Sequence, residues 1–174
     1  MNAAMNITFW DRPHYRKTQW TWPITSWCLP DERIFGSAPL VALGSGAGAM
    51  YFSAQNLTLL FKVARAPALE EIFPTVANLT QPELGPGVEV FCMCGTGLKT
   101  PVYYAFPSGN LSEPPKVSFA SGDGQQSDAT NMACGKWSRS KVVTFKGADH
   151  DSLLSSPDFV RYLLKGPLLP RYRT

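Results

Sequence analysis

The pattern of apolar and polar positions divides the chain into an irregular first half and a more regular second half. In residues 54–65, apolar side chains recur at helical spacing on one face, which predicts a short amphipathic helix. Residues 67–80 predict a further helical turn that ends before Pro74. The first 36 residues show no strong periodicity, and glycines interrupt the apolar run 38–52.

In the second half, short apolar runs bounded by turn residues alternate with helical segments. The predicted strands cover residues 87–95, 101–106, 116–119 and 141–145. One helix is predicted over 127–137. Another is predicted over 156–166, where a serine precedes Pro157 and Gly166 follows the last turn. This order of strands, loops and helices predicts an α/β fold.

Two polar segments follow predicted strands, and the carboxyl ends of strands are where chemistry gathers in open α/β sheets. Asp123 stands in a glycine-rich turn after the third predicted strand, and His150 follows the fourth. An acid and then a histidine at successive strand ends form the Asp–His part of the hydrolase order Ser, Asp, His. The carboxylate would hold the imidazole tautomer while the imidazole accepts the serine proton. The structural alternative is that Asp123 serves only its turn and that Asp149, beside the histidine, caps a helix.

The composition limits the classes of protein that fit. A chain of 174 residues that is 44% hydrophobic and 17% charged predicts one globular unit with a sizeable core. The net charge of +3 is small. The densest basic group comprises Arg12, His14, Arg16 and Lys17. A solvated surface explains this group, so no nucleic-acid partner is predicted. No stretch reaches the about 18 apolar residues of a membrane-spanning helix.

The cysteines favour a disulfide over a metal site. Cys92 and Cys94 are separated by one residue, which is shorter than the usual spacing of zinc ligands, and no second clustered pair follows. We therefore predict no metal and no other cofactor. By count alone, one disulfide and two remaining thiols are the default for the four cysteines, which are Cys28, Cys92, Cys94 and Cys134.

Four Asn-x-Ser/Thr sequons begin at Asn6, Asn56, Asn78 and Asn110. Four such sites in a short chain favour a glycosylated protein that is secreted or lumenal. The N-terminal segment nevertheless lacks the hydrophobic core of a signal peptide. We therefore expect that these residues are a chain without its own beginning.

Nine residues of the second half match a series of motifs, namely Gly95, Gly97, Thr100, Pro101, Gly122, Asp123, Gly124, Cys134 and His150. The motifs are a strand ending in C-x-Y-G-x-G-x-x-T-P, a G-D-G-D-G-T-V type loop, a cysteine eleven residues after the aspartate, and a histidine loop before the last helix. Together they resemble the C-terminal part of the lecithin:cholesterol acyltransferase family. That family also contains a lysosomal phospholipase/transacylase and the phospholipid:diacylglycerol acyltransferases. The resemblance is good from residue 87 to 165 and faint before that.

The resemblance implies the C-terminal portion of an α/β-hydrolase domain over residues 81–174, with part of a cap region over residues 1–80. It implies Asp123 as the triad acid and His150 as the triad base. It also implies a disulfide between Cys92 and Cys134, leaving Cys28 and Cys94 without partners.

Some positions depart from the family pattern. Ser121 stands where the family has its first loop aspartate, and Gln125 and Gln126 replace a Thr-Val pair. Asp128 and Asp149 are the alternative acids if Asp123 is not the one.

The serine nucleophile of the family has no counterpart in a G-x-S-x-G frame of this sequence. Residues 44–48 have that spacing, but Gly46 occupies the central position, and we predict a loop of the cap region. Because the family's nucleophile precedes the cap, we expect the serine to lie outside these residues. The sequence would then come from a truncated gene model or a degenerate copy, and the chain alone would be inactive.

For the complete protein, the resemblance implies an O-acyltransferase or phospholipase A. It would move an acyl chain from a phospholipid to a sterol, another alcohol or water. It would act peripherally at a membrane or lipoprotein surface and would be secreted or lumenal, including lysosomal.

A second hypothesis is a catalytically inactive lipid-binding or interaction protein with the same fold. Trp20, Trp22 and Trp27 lie close together, and such rings suit a lipid interface because each has an apolar body and a polar edge. The simpler interpretation is that the three rings pack in the core or the cap.

Overall fold

The computed structural model of the chain describes residues 18–79 and 85–165. The α-helices are α1 (Pro23–Trp27), α2 (Glu32–Phe35), α3 (Leu57–Ala64), α4 (Pro67–Leu79), α5 (Asp128–Asn131) and α6 (Pro157–Lys165). The strands are β1 (Val41–Leu43), β2 (Met50–Phe52), β3 (Val90–Thr96), β4 (Leu98–Phe106), β5 (Lys116–Gly122) and β6 (Ser140–Lys146). Short 3₁₀ turns cover Gly46–Gly48, Ala54–Asn56, Ala133–Lys136 and Leu153–Ser155. The chain is a mixed α/β protein.

The described strands form two sheets. The first has the order β2-β1-β4-β5, in which β1 is antiparallel to β2 and parallel to β4, and β4 is antiparallel to β5. The second is the parallel pair of β3 and β6. Only Gly97 separates β3 from β4, so the chain passes directly from one sheet into the other. Gly97 has a φ of +84°, which is in the left-handed region that favours glycine.

The four predicted strands and the helix α3 are confirmed, with bounds that differ by a few residues. Two strands, β1 and β2, were not predicted. Each has three residues, which is too short for an alternating pattern to stand out. They carry the buried side chains of Val41, Leu43 and Phe52 into the core.

Two helix predictions are wrong in extent. α4 continues through Pro74 to Leu79, because its Leu69 and Val76 are buried in the core and this packing compensates for the missing hydrogen bond. The predicted helix over 127–137 is only α5 followed by a 3₁₀ turn. The disulfide of Cys134 and the low helix propensity of Gly135 account for the break.

The buried apolar residues form two clusters. The larger lies among β1, β2, α3, α4 and β4, with Phe52, Leu57 and Leu43 nearly inaccessible to solvent. The smaller packs α6 onto β6 through Phe145 and Phe159, whose ring centroids are 5.5 Å apart. This second cluster anchors both ends of the loop between β6 and α6, and that loop contains His150.

Candidate active site

The ends of β5 and β6 meet where the chain passes from β3 into β4. Gly122, the last residue of β5, is the register partner of Leu98, and Lys146, the last residue of β6, is the partner of Thr96. Since only Gly97 separates Thr96 from Leu98, the loops that follow β5 and β6 start side by side. The two strands belong to different sheets among the described residues.

The loop after β5 is a tight turn that presents Asp123, whose accessible surface is only 5% of its maximum. Its Oδ1 atom accepts hydrogen bonds from the main-chain N–H groups of Gln125 (3.0 Å) and Gln126 (2.7 Å). Its own N–H donates to the carbonyl of Gln126 (3.0 Å). From β4, the buried hydroxyl of Thr100 accepts the N–H of Gly124 at 2.9 Å. These bonds within the protein fix the position of the Asp123 carboxylate.

The environment of Asp123 stabilises the charged carboxylate. Burial alone would raise its pKa, since it disfavours the ion. The Gln126 N–H, His150, the Gln125 N–H and the amide of Asn131 together outweigh burial, and the pKa lies below its ordinary value. The group is therefore an ionised hydrogen-bond acceptor at neutral pH.

His150 is joined to Asp123 through both its main chain and its ring. Its N–H donates to the Asp123 carbonyl at 3.0 Å, and its ring Nδ1 lies 2.9 Å from Oδ2 of Asp123. Because an ionised carboxylate only accepts hydrogen bonds, Nδ1 carries the proton, and the neutral ring has its lone pair on Nε2. With 38% of the side chain exposed, the ring is accessible from solvent. This pair can hold one imidazole tautomer and accept a proton at Nε2.

The two alternative acids make other bonds. Both carboxylate oxygens of Asp128 lie within 2.9 Å of the Thr96 hydroxyl, which donates to them. Asp149 accepts hydrogen bonds from the N–H groups of Asp151 (3.0 Å) and Ser152 (2.9 Å), and also from the Ser152 hydroxyl. Asp149 therefore bonds the turn after His150 and does not cap a helix. Asp123 also bonds the N–H groups of its own turn, and of these three acids it is the one that lies against the His150 ring.

Gly95 forms the floor beneath both loops. A Cβ atom at this position would lie 2.1 Å from the carbonyl oxygen of Ala148 and 3.2 Å from the Cβ atom of Asp123. The first distance is an impossible contact with main chain. The sequence pointed to Gly95 only through its place in a motif, and the close approach of two loops is the physical reason for a glycine here.

A disulfide joins β3 to the segment after α5. It links Cys92 to Cys134, with Cα atoms 6.1 Å apart and a sequence separation of 42. Cys94 is a buried free thiol, and Cys28 is a half-buried one. Burial first, and then the carboxylates of Asp128 and Asp123, raise the pKa of Cys94.

The glycine-rich segment 44–48 connects the antiparallel strands β1 and β2. It contains a 3₁₀ turn, and both Gly44 and Gly46 have positive φ angles. A nucleophile elbow is a strand-to-helix turn, which this connection is not. The segment therefore resembles a G-x-S-x-G frame in the spacing of its glycines and not in its structure.

Two sequon asparagines have described side chains. Asn110 is exposed in the loop between β4 and β5, where its side chain contacts Glu113 and the N–H of Ser112. Asn56 is half-buried, and its Oδ1 accepts the N–H of Ser53 at 2.7 Å in a capping box. Asn6 and the side chain of Asn78 lie outside the described residues. Glycosylation stays a prediction at all four positions.

The three tryptophans near the start have different environments. Trp20 is half-buried and packs against the larger core cluster. Trp22 and Trp27 are 48% and 46% exposed, and Ile24 between them is 50% exposed. The packing interpretation thus fits only Trp20. The basic group at residues 12–17 lies outside the described residues.

Within residues 18–79 and 85–165, no cluster of three or more His, Cys, Asp or Glu side chains is placed to bind a metal ion. In the same residues, every helix is too short or too polar to cross a bilayer.

An aspartate–histidine pair with an accessible ring, placed after two strand ends of a mixed α/β fold, can act as a general base on a hydroxyl group. Comparison of the sequence with known proteins finds similar acyltransferases and phospholipases. Lecithin-cholesterol acyltransferase-like 1 of Arabidopsis thaliana is 25% identical over 153 residues, which cover 86% of this chain and 34% of that protein. Lysosomal phospholipase A and acyltransferase of Mus musculus is 31% identical over 93 residues, which cover 49% of the chain and 22% of the relative.

The Homo sapiens protein of the same name is 30% identical over 101 residues, which cover 53% of the chain and 24% of the relative. No family model matches the chain. The resemblance to lecithin:cholesterol acyltransferases and lysosomal phospholipase/acyltransferases is thus confirmed. The chain spans about a third or less of the length of these relatives.

Proposed function

We propose that this chain is the C-terminal part of an acyltransferase or phospholipase A in which Asp123 is the triad acid and His150 the triad base. The observation that carries the proposal is the 2.9 Å contact between Nδ1 of His150 and Oδ2 of Asp123. It occurs in a chain whose relatives are named for acyl transfer and phospholipase activity. The proposed substrates are a phospholipid as acyl donor and a sterol, another alcohol or water as acceptor.

In this mechanism the nucleophilic serine comes from a part of the enzyme outside these residues. Nε2 of His150 accepts the serine proton as the serine oxygen bonds to the acyl carbonyl carbon. The imidazolium, held by Asp123, then returns the proton to the oxygen of the leaving lysophospholipid, and an acyl-serine remains. Attack by the acceptor hydroxyl repeats the proton transfers and releases the new ester or the fatty acid.

The isolated parallel pair of β3 and β6 is an argument that the complete protein contains a larger sheet. Parallel strands occur almost only in sheets that are covered on both faces, and a two-stranded sheet is marginal by itself. Val142 on β6 and Val88 before β3 are 40% and 59% exposed. We propose that the rest of an α/β-hydrolase sheet pairs here, with residues 81–174 in the hydrolase domain and residues 1–80 in part of its cap.

The disulfide and the names of the lysosomal relatives support a lumenal or secreted location. A peripheral site of action at a membrane or lipoprotein surface follows from the proposed substrates.

The first test is the transcript that carries this sequence. An in-frame G-x-S-x-G codon run upstream of Met1 supports the proposal. Stop codons immediately upstream would contradict an enzyme that includes this chain and leave a degenerate copy.

The second test is enzymatic. In the complete protein, we expect His150→Ala and Asp123→Asn each to lower kcat for acyl release from phosphatidylcholine vesicles by roughly 10³- to 10⁴-fold, because both groups are needed to activate the serine. Asp149→Asn, which changes the neighbouring carboxylate, is the matched control and should retain most activity. The 174-residue chain alone should not hydrolyse a short-chain ester. An unimpaired Asp123→Asn enzyme would contradict the assignment of the acid.

A second candidate is a non-catalytic lipid-surface protein, which the exposure of Trp22, Ile24 and Trp27 favours. Such side chains insert into the headgroup region of a bilayer. Co-sedimentation of the purified chain with phosphatidylcholine and phosphatidylserine vesicles tests this function. Loss of binding in a Trp22→Ser, Trp27→Ser double variant would support it, and no binding by the unmodified chain would exclude it.

A further inference from the structure

The position of the Asp123 carboxylate depends on the peptide groups of Gln126. The N–H of Gln126 makes the shorter of the two main-chain bonds to Oδ1, at 2.7 Å. The carbonyl of the same residue accepts the N–H of Asp123 at 3.0 Å. A rotation of this turn would therefore move the carboxylate away from the ring of His150.

One side chain braces this turn from outside. Asn131, the last residue of α5, donates from Nδ2 to the Gln126 carbonyl at 3.2 Å. The same Nδ2 lies 3.4 Å from the carbonyl oxygen of Gly95 on β3, to which it also donates. Gly95 is the floor residue beneath Asp123 and Ala148. A single amide group thus joins the acid turn to the strand on which both loops rest.

We propose that Asn131 is a positioning residue for the Asp123–His150 pair, an inference that rests on the proposed function. It braces the turn through the carbonyl groups of Gln126 and Gly95, and its amide also favours the charged form of the Asp123 carboxylate. Two N–H hydrogens on one nitrogen are required, because the group satisfies two carbonyl oxygens at once. An aspartate of the same shape would set an oxygen against both carbonyls, and like groups repel. Asn131 is not among the residues that carry the family resemblance.

The tautomer of His150 gives a readout that a merely structural role would not change. The chain has two histidines, so a His14→Gln background leaves His150 as the one imidazole. Two-bond ¹H–¹⁵N spectra of the neutral ring report which nitrogen carries the proton. We expect Nδ1–H to predominate in this background. In Asn131→Asp we expect the ratio of Nδ1–H to Nε2–H to fall roughly three- to tenfold, the equivalent of one hydrogen bond.

Two further variants make the result specific. Asn56→Asp has the same chemical change at a capping position remote in sequence and retains the Oδ1 acceptor there, so its tautomer ratio should equal that of the background. Asn131→Ala removes the amide without adding a charge and should also lower the ratio; it serves if Asn131→Asp does not fold. Backbone amide spectra establish that each variant is folded.

The outcomes distinguish the proposed Asp123–His150 pair from the proposed positioning role of Asn131. An unchanged ratio in folded Asn131→Asp or Asn131→Ala, with a changed ratio in Asp123→Asn, overturns the role of Asn131 and leaves the proposed pair intact. A ratio that Asp123→Asn does not change overturns the pair itself, and the role of Asn131 with it. A lower ratio in the Asn131 variants and in Asp123→Asn, with an unchanged ratio in Asn56→Asp, supports the positioning role.

Discussion

At the scale of single residues, the candidate site consists of a buried carboxylate next to an accessible imidazole. Asp123 is held by two main-chain N–H groups on one oxygen and by His150 on the other. Such bonds favour the charged form more than burial opposes it, and the pKa is lowered. Thr100 contributes from the opposite side, where its buried hydroxyl orients the N–H of Gly124. Apart from His150, the groups that hold the Asp123 carboxylate take no part in the proposed proton transfers.

The lowered pKa of Asp123 makes a prediction about stability and pH. A group with a lower pKa in the folded state stabilises that state above its unfolded-state pKa of about 4, and the contribution disappears as the pH falls through the folded-state value. We therefore expect wild type to exceed Asp123→Asn in free energy of unfolding by roughly 1–3 kcal/mol at pH 7. The difference should shrink steadily below about pH 4.

Urea unfolding at several pH values measures this difference. Glu71→Gln, which neutralises an exposed carboxylate on α4, is the control and should change stability little. A difference for Asp123→Asn that stays constant between pH 7 and pH 2 would contradict the account.

At the scale of elements, the site depends on how closely three segments approach one another. The loops after β5 and β6 both lie against β3 at Gly95, and Asn131 of α5 reaches the same residue. The smaller aromatic cluster holds α6 on β6 and so fixes the far end of the histidine loop. A helix, two loops and a strand therefore share one glycine as their point of contact.

Gly95→Ala tests this contact. The added methyl would meet the Ala148 carbonyl, so the loop with His150 must move, and we expect a loss of about 1–3 kcal/mol in the free energy of unfolding. Gly48→Ala is the matched control, because nothing lies within 4 Å of its Cβ position, and it should be neutral or slightly stabilising. Equal stability of the two variants, measured by thermal and urea unfolding, would show that the loops do not pack as described.

At the scale of the molecule, two features hold the chain together. β1 from the first half pairs with β4 from the second half, so the proposed cap and hydrolase portions share a sheet within this chain. The disulfide ties β3 to the segment beyond α5, and thereby ties the smaller sheet to the acid loop. The open parallel pair of β3 and β6 is the part that other strands would complete.

Removal of the disulfide should lower the stability of the folded chain. For a sequence separation of 42, loop-closure entropy gives a stabilisation of roughly 4 kcal/mol. We expect a Cys92→Ser, Cys134→Ser double variant to unfold at a lower temperature than wild type and to be insensitive to dithiothreitol. Cys28→Ser alters a free thiol and should retain the sensitivity of the wild type. A wild-type melting temperature that reductant does not change would argue against a stabilising bond.

The sequence by itself determined the α/β class and the later strands, and it predicted Asp123 and His150 as candidate site residues, because strand-forming runs and short motifs are local properties. It also led to the relatives. It could not predict β1 and β2, since three-residue strands leave no periodic pattern, or the passage of α4 through Pro74, which depends on the burial of Leu69 and Val76. The family resemblance implied Asp123 as the acid, but only the tertiary structure shows that it, and not Asp128 or Asp149, contacts the His150 ring, because the three acids differ in their partners and not in their chemistry. The tertiary structure alone revealed Asn131, a polar residue whose role arises from two carbonyl groups that are distant in sequence and adjacent in space.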